Sequence, residues 1–142
     1  MSNIFYQCKE RFDSIDIYND SDFNINIYIA VGVPDSNVYP DTLLPIEKPY
    51  YNYNIGPKEL HSDTSQVEWE RIIRKLPKDT LSIFIFHSDT LKKYSWEEIR
   101  AKYKILKRYD LSADDVGRLN KKIYYPPTPA MAKIKQYPKY KE

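Results

Sequence analysis

The run LSIFIF at positions 81–86 constrains this chain more than any other feature. Leu81, Ile83 and Ile85 alternate with Ser82, Phe84 and Phe86, so a strand here sends apolar side chains to both of its faces. Such a strand needs cover on both sides, which predicts a central place in a sheet rather than an edge.

The rest of the chain supplies candidates for that cover. Positions 14–18 alternate apolar with polar, and 24–31 resume the alternation with Ile25, Ile27 and Ile29 on one face. Between them Asn19, Asp20, Ser21 and Asp22 form a turn cluster, so the two read as strands joined by a hairpin-like connection. Four prolines, at 34, 40, 45 and 49, punctuate an aperiodic segment that is expected as an ordered surface loop. Alternation at 50–55 suggests another strand, closed by Gly56 and Pro57. Ser65 and Glu68 have the spacing of a capping box, followed by Val67, Trp69, Ile72, Ile73 and Leu76 at helical spacing before Pro77. Ser95/Glu98 and Ser112/Asp115 repeat the box, predicting two-turn helices at 95–102 and 113–119, the second stopped at Asn120. Strands are expected at 103–111 and 122–125. The prediction is a mainly-β chain with short helices: one domain over 1–127, and a Pro-punctuated basic C-terminal tail over 128–142 that lies along the surface or frays.

At 142 residues, 42% hydrophobic and 30% charged, the chain has the length and composition of one globular domain with a real core. Its single cysteine, Cys8, rules out an internal disulfide. No stretch approaches the roughly 20 apolar residues of a membrane helix, and the opening residues carry no basic segment or long apolar run of an export signal. The net charge of +2 hides a division. Residues 1–70 hold four Lys/Arg against twelve Asp/Glu, a balance of −8, and residues 71–142 hold eighteen against eight, a balance of +10. Because the basic residues are dispersed among apolar ones, two halves that complement each other within one fold are preferred to a basic partner-binding tail.

DTLKKYSWEEIR at 89–100, ILKRYDLS at 105–112, DVGRLN at 115–120 and IYYP at 123–126 resemble a large group of uncharacterised Bacteroidetes lipoproteins. The resemblance covers roughly residues 80–140. It implies a β-sandwich-like domain of the immunoglobulin or transthyretin kind, often exported and tethered through a lipidated N-terminal cysteine. No catalytic residue is established for the group. Cys8 takes the place of that lipid attachment point, although Phe5, Tyr6 and Gln7 depart from the small residues of a lipobox. The position of His87 is often acidic in the group, which argues against a required imidazole there.

Candidates for chemistry are few. His61 and His87 each begin His-Ser-Asp-Thr, which invites comparison with two-histidine phosphoesterases or a site of two His and two Asp for a metal. Ser62 and Ser88 sit one residue off the phosphoesterase spacing, so both tetrapeptides read as turns. Cys8 lacks a local base that would make it a nucleophile. Asp20, Asp22, Asp35 and Asp41 lack the alternation and closing Glu of a calcium loop. Trp69, Trp96 and the fourteen tyrosines could stack on sugars or bases, but Trp96 shares a helical face with Ile99, which favours packing. The basic pairs Lys92/Lys93, Lys107/Arg108 and Lys121/Lys122 read as solvated faces. No catalytic residue, cofactor or metal ligand is therefore expected. The preferred function is a non-catalytic cell-envelope domain that binds a protein or glycan partner, located there if a signal peptide precedes it and cytoplasmic otherwise. The alternative is an intracellular interaction module, associated with nucleic acid through the basic C-terminal half, although nucleic acid is the less favoured partner.

Overall fold

The run at 81–86 lies within strand β5 (Leu81–His87), whose first six residues are all buried. It occupies the middle of a five-stranded sheet in the computed structural model, which describes residues 12–31, 43–49 and 52–141. Its neighbours are β2 (Ile25–Ile29) on one side and β6 (Lys107–Leu111) on the other, both antiparallel. Beyond them, β3 (Asn52–Ile55) and β8 (Lys135–Tyr137) form the edges, giving the order β3-β2-β5-β6-β8. A second sheet has the order β4-β1-β7, with β1 (Asp13–Asn19) antiparallel to β4 (Leu60–Ser65) and parallel to β7 (Lys122–Tyr125). The chain is mainly β, a single domain of eight described strands in two sheets with short helices.

Alternation along β5 divides the interior. Leu81, Ile83 and Ile85 join Ile25, Ile27 and Ile29 and face Ile15, Ile17 and Ile123 of the smaller sheet, a sandwich-like layer. Helices α1 (Trp69–Arg74) and α4 (Ala113–Arg118) close this layer with Trp69, Ile73, Ala113 and Val116. On the other face Phe84, Phe86 and Tyr28 pack with Leu44 and with Ile99 of α3 (Trp96–Lys102). Each large apolar side chain so buried contributes about 1.5–3 kcal/mol.

Several expectations need correction. β1 and β2 are not a hairpin; they belong to different sheets. Asn19 makes the switch. It is 1% exposed, and its side-chain amide donates to the carbonyls of Phe23, Ile55 and Gly56 at 2.8–3.0 Å while its oxygen accepts from the Ser21 amide. The chain turns there from one layer into the other.

Ser65 does not cap α1. Its hydroxyl accepts from the Val67 amide, and the helix begins after Glu68 with no local side-chain cap. The Trp69 amide donates instead to Asp13 Oδ2 at 2.7 Å, a cap supplied from β1. The segment around His61, expected as a turn, is the edge strand β4. The strand expected at 103–111 begins only at Lys107, because Tyr103 takes a left-handed conformation (φ 48°) at the end of α3 and the Lys104 amide closes on the Ile99 carbonyl. A further short helix, α2 (Ser88–Lys93), follows β5 directly. Asn120 does end α4, with Asn120 and Lys121 both left-handed.

The expected surface tail is also corrected. A 3-10 turn at Pro129–Met131 buries Met131 completely, Ile134 is 4% exposed, and β8 pairs with β6. The loss of Ile134→Ala should therefore be that of a core site, about 2–5 kcal/mol by denaturant titration. A loss within about 0.5 kcal/mol would return the segment to the surface.

Candidate functional site

The two histidine tetrapeptides have become different structures. His61 lies on β4 with Asp63 on the same face, opposite Ile17 and Ile15 of β1. Its ring stacks on Tyr53 of β3, with centroids 3.8 Å apart, so it bridges edge strands of the two sheets. His61 Nε2 is buried without a hydrogen-bond partner, and burial holds its pKa below the usual value against the opposing pull of Asp63. Burial pushes the Asp63 carboxyl up, with His61 pulling the other way.

His87 instead terminates β5 and caps α2, its Nδ1 accepting from the Asp89 amide at 3.1 Å. Its ring stacks on Phe23 at 4.5 Å. Each imidazole is thus held by its own aromatic partner. Neither repeat supplies a nucleophile and base in hydrogen-bond contact, and no group of three His, Cys, Asp or Glu fit to hold a metal occurs among the described residues.

Other sequence candidates are committed to local contacts. Lys58 Nζ reaches the Asp20 carbonyl at 2.9 Å and Asp20 Oδ1 at 3.2 Å, with Asp22 at 4.0 Å, so an ammonium sits where a calcium would. Cys8, Asp35 and Asp41 lie outside the described residues. Trp69 is 3% exposed and donates to the Asp63 carbonyl. Trp96 packs edge-on against Tyr28 and Phe86 and donates to the Pro45 carbonyl. Both indoles are thus engaged in packing and hydrogen bonding within the fold. The Tyr28 hydroxyl beside Trp96 is buried without a hydrogen bond, and burial pushes its pKa up to about 12.

The Lys107/Arg108 pair is not a solvated face. Arg108 is fully buried, and its Nε donates to Asp110 Oδ1 at 2.9 Å. The Ser82 hydroxyl meets the same oxygen at 2.7 Å, and the guanidinium lies over Phe84. Lys107 Nζ donates to the Pro138 carbonyl; burial, and then the nearby Lys141 charge, hold its pKa down. Polar residues at 82, 108 and 110 share one sheet face, but the pairing that aligns them cannot be read before the register is known.

Direct ion pairing between the acidic and basic halves is sparse. Among the described residues Lys121 carries it, with Asp13 at 2.7 Å and Glu70 at 3.5 Å. Burial disfavours the Asp13 anion, but Lys121 and the Trp69 amide outweigh it, so its pKa falls while that of Lys121 rises.

Among the described residues, several of the remaining cations, Lys93, Lys104, Lys133, Lys139 and Lys141 among them, have no carboxylate within ion-pair distance. Lys93 and Lys104 flank the Tyr94 ring at 5.6 and 4.1 Å from its centroid. Tyr103 meets Tyr137 of β8 edge-on. Beside β8 runs a groove of about 670 Å³, lined by Ile134, Gln136, Tyr137, Lys139 and Tyr140 among others. This basic, tyrosine-bearing groove is the candidate site, and its cations suit it to anions. No protein family, curated protein or solved structure matches the chain.

His61 sets a pH response. With its folded-state pKa below 6.5, the unfolded chain takes up this proton first as pH falls, so stability present at neutral pH is lost below about 6.5. Asp63, raised in the fold, acts in the opposite sense at lower pH. His61→Phe keeps a ring against Tyr53 and should flatten the fall in denaturation midpoint between about pH 7 and 5. An unchanged slope would remove His61 as its source.

Proposed function

We propose that this chain is a non-catalytic binding domain of the cell envelope that engages a protein or glycan partner. The observation that carries the reading is the groove at β8, lined by Tyr137, Tyr140, Lys135 and Lys139 among others. Tyrosine offers an amphipathic contact of low entropic cost, and ammonium groups select anionic partners. The likeness of residues 80–140 to uncharacterised Bacteroidetes lipoproteins supports the envelope location and gives Cys8 its role as lipid attachment point. No described helix is long and apolar enough to cross a membrane, so a lipid tether would supply the anchorage.

Expression from the native locus with labelled palmitate tests the location. The parent protein should take up label and sediment with membranes, and Cys8→Ser should abolish both. An unlabelled, soluble parent with strongly salt-dependent retention on a polyanion would favour the intracellular, nucleic-acid-associated alternative and overturn the proposal.

A further inference from the structure

We infer that the outer edge of β8 is a docking site for an extended acidic segment of a partner protein, which would add to the five-stranded sheet as a sixth strand. The inference rests on the reading of the chain as a binding domain and specifies the chemistry of its partner.

Three observations converge on this edge. First, β8 ends the sheet order, and among the described residues no strand pairs with its outer side, so its backbone can accept another strand there. Second, the exposed charge along this segment is basic. Residues 132–141 contain four lysines and no Asp or Glu, and the Asp110 carboxylate near Lys135 is buried in β6. Lys133, Lys139 and Lys141 are exposed and have no acidic partner within ion-pair distance among the described residues. Third, a groove runs beside this edge, lined by Lys135, Tyr137, Lys139 and Tyr140 among others.

Lysines on an edge strand also deter unwanted strand pairing. That role alone does not require a groove beside the strand. Repulsion by lysine acts on basic strands, while an acidic strand gains from the same charges, so the edge is selective and not merely protected. The tyrosines at 137 and 140, both lining the groove, offer ring faces to the apolar parts of such a segment.

Fluorescence anisotropy on the full chain tests this with a labelled octapeptide of alternating Glu and Thr. Its Lys/Thr counterpart, an acidic peptide N-methylated at alternate residues and a single-stranded oligonucleotide of equal charge serve as comparisons. The acidic peptide should bind, the basic one should not, and N-methylation should abolish binding because it removes strand hydrogen bonds. Lys133→Glu with Lys139→Glu, both exposed positions, should weaken binding about tenfold or more while circular dichroism and melting stay unchanged. Failure of the acidic peptide to bind would overturn the inference, as would equal binding of the N-methylated form. Tighter binding of the oligonucleotide would also overturn it. The envelope reading is tested separately by palmitate uptake, so a labelled, membrane-bound protein that ignores the peptide would overturn the docking site and leave that reading standing.

Discussion

The structure depends on one constraint: β5 carries apolar side chains on both faces and cannot face water on either. The larger sheet is therefore covered twice, and the two covers differ in kind. On the Ile83 side the cover is a second sheet, closed by α1 and α4. On the Phe84 side it is a short helix, α3, and the segment around Leu44. Three side-chain donors hold that segment through its backbone carbonyls: Arg108 to Leu43, Arg100 to Leu44 and Trp96 to Pro45. The Pro-punctuated region thus contributes to the core at its C-terminal end while contributing no described strand.

Arg108 and Asp110 show how polarity fixes what apolar patterning leaves open. Residues 107–111 are all buried, so burial alone would tolerate β6 slipped by one position. In the observed register Ser82 lies opposite Asp110 and Phe84 opposite Arg108, which satisfies the carboxylate and places the guanidinium over a ring. A slip by one residue would carry both charges into the layer of Ile83 and Tyr109, where their desolvation would go uncompensated. Such a pair adds little net stability over apolar replacements, but it penalises the wrong register heavily.

Elements with a local signal were legible in the sequence, and those fixed by distant partners were not. β5, β2, β1, β7, α3 and α4 follow from alternation, caps and stops within their own windows. The sheet to which β1 belongs depends on Asn19 bonding to Ile55 and Gly56, more than thirty residues away. The start of α1 depends on Asp13, fifty-six residues earlier, so the nearby Ser65 spacing misleads. β4 alternates exposed with half-buried residues and lacks the apolar pattern that announces a strand. The last segment reads as a tail because lysines and prolines interrupt its apolar residues, yet Met131 and Ile134 suffice to seat it. Composition averages over residues, whereas docking needs two anchors at the right spacing.

The candidate site was legible as charge and illegible as place. A basic half of +10 is a sequence fact, and complementarity between the halves is its simplest structural outcome. Direct pairing across them runs, among the described residues, through Lys121, while pairs such as Lys58–Asp20 and Lys102–Glu98 stay within one half. Local pairs form at helix spacing or across adjacent turns, where little side-chain entropy is lost, and they leave the regional imbalance in place. Lys133, Lys139 and Lys141, exposed and without an acidic partner among the described residues, flank the strand that ends the sheet. The coincidence of an open edge with unneutralised charge is what the proposed docking at β8 rests on.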